Sequence, residues 1–318
     1  MRRYLEVVSS LLSATLIQGF VATGFVPPSP SSLLASRSQL GSSCTACGLG
    51  GRDLRMAAAA IVGGGRIGSA LYDMGGGADT LVGRGDDIPA GDGPIYVCTR
   101  NDDLENVISR TPASRRQDLV FLQNGVLGPL LEKHGLAANS QVLIYFAVAK
   151  KGEAPIDGVT DANPEGLTSA CGKWAEEFKE RIAKGGLTCH TLPEDKYTAR
   201  MYEKHMWICA FMLCGAAHKC NMGEVDANNS DEVRALIGEM QAAIENEHGV
   251  TFEGGVQDRL CAYARSVAHY PAAVKEFSWR NGFFWEISEN ARKEGKKDPC
   301  PLHSKLLRQV ADEQGLSL

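Results

Sequence analysis

The sequence predicts an α/β protein in which a domain built on a parallel sheet is followed by an all-helical domain. Short apolar runs alternate with helical stretches up to about residue 194, and this alternation is typical of a parallel α/β sheet. Beyond Asp195, long segments with helical periodicity replace the strand signals. With 318 residues, the chain is long enough for two such domains.

The first 56 residues are expected to form a bipartite targeting leader. Arg2 and Arg3 precede a mostly apolar stretch, 7–22, in the order of a secretory signal, and this stretch is too short and too rich in Ser and Thr for a membrane span. The junction at Phe25 resembles the cleavage site of presequences for algal secondary plastids, and a Ser-rich, acid-poor segment follows it. We therefore expect import into the plastid stroma, with secretion or mitochondria less favoured, and a fold that begins near residue 57.

Charge and cysteine usage exclude several function classes. The net charge of −5 and the pI near 5.9 give no basic field for nucleic acid, so a small-molecule partner is expected, with no membrane contact in the mature protein. Of the ten cysteines, only Cys44 and Cys47 form a CxxC pair, and they lie in the leader. The other eight have no paired ligand spacing, which predicts buried thiols in a reducing compartment and no metal site.

A glycine-rich turn follows the first apolar run, 57–62, and precedes a helical stretch. In the GxGxxG pattern, Gly63 permits the tight turn, Gly65 lets a pyrophosphate approach the backbone, and Gly68 lets helix and strand pack closely. The helix N-terminus then offers free N–H groups to the phosphates. We predict a Rossmann-type dinucleotide-binding domain, against the alternative of a turn without ligand. Its expected cofactor-binding residues are Gly63, Gly64, Gly65, Arg66, Ile67 and Gly68.

The end of the second predicted strand, 80–83, indicates which dinucleotide is bound. Arg84 follows the strand, and an arginine there suits a 2′-phosphate, which favours NADP(H). Asp86 is close enough to keep NAD(H) open. Arg100, at the carboxyl end of the next predicted strand, 94–99, has a planar fork that suits a phosphate or a carboxylate. Arg84 and Arg100 can alternatively be exposed loop cations.

The remaining elements complete a sheet domain, 57–194, and a helical domain, 195–318. Only about ten residues separate Arg84 from the strand at 94, fewer than the dozen or so that a parallel crossover needs, so a helix and a strand common in such folds are expected to be missing. Further strands are predicted at 118–123, 141–149 and 187–192. Helices are predicted at 104–110, 128–134, 164–183, 197–217, 230–247, 257–267, 275–294 and 302–315.

Three segments together resemble the ketopantoate reductase family over most of residues 57–315. They are the glycine turn, the helix that carries Lys204 in 201–207, and segment 275–283, in which Glu276 is followed by Asn281 and Gly282. The Asn124-Gly125 turn after a strand also matches. The resemblance implies a Rossmann-type sheet followed by a helical domain of the 6-phosphogluconate-dehydrogenase-like type. It also implies that Lys204 is the general acid, that Glu276 binds a substrate hydroxyl, and that Asn124 touches the substrate and nicotinamide region.

The chemistry of these residues supports the same reaction independently. Hydride transfer to a ketone builds negative charge on its oxygen, so a nearby ammonium group both stabilises the charge and delivers the proton. Lys204 lies in an otherwise apolar helix, where desolvation would lower its pKa. The plainer interpretations are a surface lysine, a helix N-terminal acid at Glu276 and an ordinary Asn-Gly turn at Asn124.

The chain also departs from the family. Ile208 and Met212 stand four and eight residues after Lys204, where family members usually have asparagines, so the polar helix face is apolar here. Ser266 and Asn281 are the weaker substrate candidates, and Ser266 stands closer to Glu276 than the usual family serine. We expect reduction of a ketopantoate-like 2-keto acid with NADPH by a protein that can form a homodimer. The alternatives are a non-catalytic NADP(H)-binding protein and a related dehydrogenase with another substrate, such as a sugar acid or an imine.

Overall fold

The computed structural model describes residues 57–318. A seven-stranded sheet has the order β2-β1-β3-β4-β5-β6-β7. The strands are β1 Ala60–Val62, β2 Thr80–Val82, β3 Ile95–Val97, β4 Leu119–Phe121, β5 Ser140–Leu143, β6 Ser169–Cys171 and β7 His190–Thr191. The first five strands are parallel, β6 is antiparallel to β5, and β7 is parallel to β6.

The sheet lacks an element where the sequence predicted one to be missing. β2 pairs with one edge of β1, and the next strand, β3, pairs with its other edge. No helix or strand interrupts residues 83–94 between them. Because the chain returns directly across β1, β2 is left as the border of the sheet. The prediction of an abbreviated sheet is confirmed.

Helices cover both faces of the sheet, as the pleat requires. Four helices accompany it: α1 Arg66–Asp73, α2 Leu104–Arg110, α3 Gly128–Lys133 and α4 Ala175–Ala183. Ile61 and Tyr96 point toward α1 and α4 and join one apolar cluster, whereas Val62 and Val97 point toward α2 and α3 and join another. Successive residues of a strand face opposite sides, so these short apolar strands bury both faces, which is typical of parallel sheets.

The predicted helix over 164–183 is wrong in its first half. Residues Ser169–Cys171 form β6, and the helix begins only at Ala175. Ala170 pairs with Val142, and Cys171 pairs with Gln141 of β5. This pairing satisfies backbone groups that a helix would otherwise have to satisfy, and a partner nearly thirty residues away is invisible to local periodicity. The strand predicted at 141–149 is shorter as well, ending at Leu143.

A buried ion pair joins the two ends of the sheet domain. Arg181 of α4 is fully buried and places its Nη1 2.6 Å from Oδ2 of Asp79. The same Nη1 donates to the carbonyl oxygen of Leu71 at 2.9 Å, and Asp79 Oδ1 accepts from the amide of Ala59 at 2.8 Å. Because these partners satisfy one another, the pair ties α1, β1 and α4 together without an unpaired carboxylate.

The second half of the chain is helical, as its periodicity predicted, and it packs around one long helix. The helix predicted over 275–294 begins only at Asn281. The helices are α5 Glu194–His218, α6 Met222–Asn228, α7 Ser230–His248, α8 Val256–Ser266, α9 Asn281–Lys293 and α10 Pro301–Gln314. α5 contacts α6, α7, α8 and α10, and its buried side chains form the centre of the largest apolar cluster. α6 was not predicted; a capping box between Asn221 and Glu224 fixes its start. The predicted α/β fold class with a helical C-terminal part is confirmed.

Three further expectations concern the chain as a whole. All eight cysteines in 57–318 are free thiols, six of them buried. None of the helices in that range combines the length and apolarity that a bilayer crossing requires. The predicted leader, 1–56, lies outside the described residues, and the boundary at 194/195 between the two predicted domains stays a prediction.

Candidate functional site

The glycine turn joins β1 to α1 so tightly that a side chain is excluded at Gly63 and at Gly68. Gly63 has φ of +105°, a conformation that favours glycine. A methyl group on Gly68 would lie 1.8 Å from the carbonyl oxygen of Gly63, whereas one on Gly65 would meet no described atom within 4 Å. α1 begins at Arg66 without a side-chain cap from residues 57–318. Its first amide groups therefore have no side-chain acceptor at this end and are suited to bind a pyrophosphate.

A cavity of about 420 Å³ lies beside this turn, where the carboxyl ends of β1, β2 and β3 meet. Its lining includes Gly63 and Gly64 of the turn, and it also includes three arginines, Arg84, Arg100 and Arg110. Arg84 and Arg100 are exposed. Three guanidinium groups around one cavity at a helix N-terminus suit a phosphorylated ligand.

Asp86, the acid that could favour NAD(H) over NADP(H), forms a hydrogen bond within its own turn. Asp86 Oδ2 accepts a hydrogen bond from the backbone amide of Gly83 at 2.9 Å, and Arg110 Nη1 donates to the backbone oxygen of Asp86 at 2.8 Å. The acidic side chain that lines the cavity is instead Asp103. The cavity wall is therefore more cationic than anionic.

Lys204 is buried on α5, with 6% of its surface exposed. Its Nζ donates to the carbonyl oxygen of Ile144, one residue beyond the end of β5, and lies 4.5 Å from the ring centroid of Tyr145. Burial, and secondly the Arg280 guanidinium, lowers the pKa of Lys204 from 10.5 to about 7. An amine with this pKa holds or releases its proton near neutral pH, which suits a general acid.

Glu276 lies in the loop before α9 and forms an ion pair with Arg280, four residues later. Glu276 has φ of 49° and ψ of 51°, an unusual conformation for a residue other than glycine. The side chains of Glu276 and Arg280 are 26% and 17% exposed, so the pair is largely desolvated. The positive charge of Arg280 also lowers the pKa of Lys204. This loop therefore brings both a carboxylate, Glu276, and a guanidinium group, Arg280, toward the lysine.

Asn124 follows β4, the strand that lies between β3 and β5. Its backbone oxygen accepts from Asn101 Nδ2 at 2.8 Å, and its side chain is partly exposed. Gly125, with φ of +106°, lies so close to Trp279 that a methyl group there would be 2.3 Å from the Trp279 carbonyl oxygen. The Asn-Gly turn therefore packs directly against the loop that carries Glu276.

One short segment connects the lysine with the glycine turn. The carbonyl oxygen of Ile144 accepts a hydrogen bond from Lys204 Nζ. A few residues later, the carbonyl oxygens of Val148 and Ala149 accept hydrogen bonds from Arg66 Nη1 at 3.2 and 3.3 Å. Lys204, Asn124 and the glycine turn thus all lie at the edge formed by the carboxyl ends of the parallel strands. In open α/β sheets this edge is where ligands bind.

The side chains of the two weaker substrate candidates are engaged within the helical half. Ser266 is exposed, and its hydroxyl donates to the carbonyl oxygen of Tyr263 in its own helix at 2.8 Å. Asn281 is 1% exposed, and its Oδ1 lies 3.0 Å from Nε2 of the buried His303. Both side chains have structural partners, and their substrate roles stay predictions. Ile208, one turn after Lys204, is buried in the apolar cluster of the helical half.

Sequence reasoning missed two cations of the site. The sequence analysis assigns no role to Arg280, although its spacing of four from Glu276 is that of an ion pair on a helical turn. Arg110 is predicted only as the end of a helix. It follows β3 in the chain, and it reaches the cavity beside the glycine turn only because β3 pairs with β1. No local signal marks Arg110 as a cavity residue.

The comparisons with known proteins support the fold. No family model and no curated protein matches the chain. Among solved structures, D-mandelate dehydrogenase with NADH and anilino(oxo)acetate matches with a TM-score of 0.58 at 16% identity over 82% of this chain and 99% of that one. The chain has the ketopantoate reductase fold. A PanE/ApbA family ketopantoate reductase from Ralstonia eutropha JMP134 matches with a TM-score of 0.57 at 14% identity, over 81% of this chain and 99% of that one. Dimeric ketopantoate reductase from Staphylococcus aureus matches with a TM-score of 0.57 at 16% identity, over 80% and 99% of the two chains.

Proposed function

We propose that this protein is a divergent member of the ketopantoate reductase family that reduces a small, ketopantoate-like 2-keto acid to the 2-hydroxy acid with NADPH. The observation that carries the proposal is Lys204. A buried ammonium group with a pKa lowered to about 7 lies at the ligand edge of a sheet whose first turn leaves room for a pyrophosphate at Gly65.

The residues around the glycine turn fit a phosphorylated dinucleotide. The open face of Gly65 and the uncapped start of α1 would receive the pyrophosphate. Arg84 and Arg100 would contact the 2′-phosphate of NADP(H), whereas Asp86 is already bound to a backbone amide. When bound, the nicotinamide supplies the hydride that reduces the substrate.

The lysine completes the reduction at the substrate oxygen. Protonated Lys204 donates from Nζ to the carbonyl oxygen of the keto acid as hydride reaches the carbonyl carbon, so the oxygen becomes a hydroxyl and the amine is left neutral. Its present acceptor, the Ile144 carbonyl, holds the ammonium group in place until a substrate oxygen takes one of its three donors. Asn124 and Glu276 would position the substrate by hydrogen bonds.

The side chain of the substrate is proposed to be less polar than that of ketopantoate. Ile208 and Met212 replace the asparagines of the family on the face of α5 that continues from Lys204, and both pack in the apolar cluster. Apolar side chains cannot hydrogen-bond a substrate hydroxyl, so a substrate bound against this face would be an aromatic or branched aliphatic 2-keto acid. The matched D-mandelate dehydrogenase structure contains NADH and anilino(oxo)acetate, an aromatic oxo acid.

Steady-state kinetics test the proposal. The purified protein is incubated with NADPH and a panel of 2-keto acids that includes ketopantoate, phenylglyoxylate and branched-chain members, and NADPH oxidation is followed by absorbance. We expect turnover, with a higher kcat/KM for the apolar acids than for ketopantoate. NADPH binding without turnover of any panel member would contradict the reductase assignment. It would favour the second candidate, a non-catalytic NADP(H)-binding protein, which the Ile208 and Met212 replacements support.

We propose that the protein is imported into the plastid stroma. The order of a signal-like apolar stretch, a phenylalanine-led junction at Phe25 and an acid-poor, Ser-rich segment supports this destination. A fluorescent fusion of residues 1–56, expressed in an alga with secondary plastids, tests it. The Phe25→Ala variant should remain outside the plastid, and mitochondrial fluorescence of the parent fusion would contradict the proposal.

A homodimer is proposed as the assembly. The support is the dimeric ketopantoate reductase from Staphylococcus aureus, which this chain covers over 99% of its length. Light scattering coupled to size exclusion measures the molar mass directly. A mass near that of one 34.1 kDa chain would contradict the dimer.

A further inference from the structure

A cluster of three potential metal ligands lies where α5 ends and α7 begins. Cys214 and His218 are one turn apart on α5, and Glu232 lies in the first turn of α7. The thiol sulfur, one imidazole nitrogen and one carboxylate oxygen all lie within 4.8 Å of one another. Among residues 57–318, this is the one cluster of His, Cys, Asp or Glu side chains that is close enough to hold a metal ion. Glu232 Oε2 lies 3.6 Å from Cys214 Sγ and 2.5 Å from His218 Nε2.

The surroundings of the cluster favour a cation. Cys214 and His218 belong to the last turns of a 25-residue helix, whose carboxyl end carries the negative end of the helix dipole. The neighbouring Lys219 ends the helix in a left-handed conformation and places its own Nζ 3.0 Å from Glu313. That ammonium charge is therefore already paired with a carboxylate of α10.

We propose that Cys214, His218 and Glu232 bind a divalent transition-metal ion of the Zn²⁺ class. One thiolate, one imidazole and one carboxylate form a ligand set for Zn²⁺ and its analogue Co²⁺, whereas Mg²⁺ and Ca²⁺ require oxygen ligands. Three protein ligands leave a fourth position for water. Cys214 is buried, Glu232 is half-buried and His218 is exposed, so an ion can enter from solvent while the thiolate stays shielded.

The site is separate from the proposed reductase centre and independent of it. Ten residues of α5 separate Lys204 from Cys214, which corresponds to about 15 Å along the helix axis. A bound ion would join the end of α5 to the start of α7. The sequence expectation of no metal site overlooked this cluster, because its third ligand comes from another helix fourteen residues after His218.

Cobalt binding to the full chain tests the proposal. Cys44 and Cys47 are replaced by serine throughout, so that the leader thiols do not bind the ion, and Co²⁺ absorption is recorded before competition with Zn²⁺. We expect one Co²⁺ per chain with a thiolate-to-cobalt charge-transfer band. Cys214→Ser should remove the band, and His218→Gln and Glu232→Gln should each weaken Zn²⁺ affinity at least tenfold.

The controls separate ligation from loss of folding. Cys261→Ser removes another buried thiol of the helical half and should leave Co²⁺ binding unchanged. His218 is exposed, so His218→Gln should keep the circular dichroism spectrum and melting temperature of the metal-free parent. A parent protein without the charge-transfer band, or a His218→Gln variant that binds Zn²⁺ as tightly as the parent, would overturn the proposal.

Discussion

The glycine turn and the lysine region lie at the same edge of one sheet, but they are encoded in different ways. The turn occupies six consecutive residues, 63–68, and two of its glycines, Gly63 and Gly68, have a local steric reason. The lysine region is assembled from α5, the loop after β5, the Asn-Gly turn and the segment before α9. A cofactor site can therefore be inferred from a short motif, whereas a catalytic centre made of distant segments depends on the tertiary fold.

Removal of the lysine tests whether the two regions are functionally separable. Lys204→Met keeps an apolar stem of similar length but has no proton to donate, so kcat/KM should fall by about 10²–10⁴-fold. The dissociation constant for NADPH, measured by fluorescence, should change less than about twofold, since the glycine turn is intact. Lys275→Met, at an exposed position, is the matched control. Turnover by Lys204→Met at more than a tenth of the parental rate would contradict the assignment.

Two alanine substitutions sharpen the interpretation of the turn itself. In Gly68→Ala the added methyl group would lie 1.8 Å from a backbone oxygen, so the free energy of unfolding should fall by about 1–3 kcal/mol. In Gly65→Ala the methyl group meets open space, so the melting temperature should be unchanged while NADPH affinity falls by about tenfold or more, about 1.4 kcal/mol. Thermal melts and binding titrations of both variants distinguish these effects. Equal losses of stability would show that Gly65 serves packing.

The arginines of the cavity should determine which dinucleotide is preferred. Loss of one charge-assisted contact is worth about 1.5–3 kcal/mol, so Arg84→Ala or Arg100→Ala should weaken NADPH binding by about 10- to 100-fold and leave NADH binding nearly unchanged. Arg308→Ala, on the exposed surface of α10, controls for net charge. A parent protein that binds NADH more tightly than NADPH would contradict the choice of cofactor.

The pH dependence should give the smallest but most specific effect. Reduction needs protonated Lys204, so kcat/KM should be constant below about pH 7, the lowered pKa of this lysine, and fall about tenfold per unit above it. The reverse oxidation needs the neutral amine and should rise over the same range. In Arg280→Gln the break should move to higher pH, because a nearby positive charge no longer disfavours the ammonium form. An unchanged break would show that burial alone sets the pKa.

The sequence predicted the order of elements better than their pairing. The strands that form β1 to β4 were expected from short apolar runs, and the absent helix and strand after Val82 were expected from the spacing alone. β6 was missed because Ser169, Ala170 and Cys171 have small side chains and stand just before the helical spacing of Trp174 and Phe178. Only the long-range pairing with β5 makes these three residues a strand.

For the candidate site, resemblance and chemistry selected Lys204, Glu276 and Asn124, and the structure places them around one sheet edge. The environment of the lysine could not be derived in the same way. Its acceptor on Ile144, the ring of Tyr145 and the charge of Arg280 come from segments 59 to 76 residues away in the chain. The pKa depends on these neighbours and on burial, so only the direction of its shift was predictable from an apolar helix.

The abbreviated sheet has a consequence for solubility. β2 forms the outer border of the sheet with only three residues, Thr80–Val82, and Leu81 is 40% exposed there. An unpaired border strand can recruit a strand from another molecule and start aggregation, and very short borders are one way in which proteins avoid this. A border strand of three residues offers few backbone groups for such pairing, so the abbreviated sheet is expected to limit edge-to-edge association at β2.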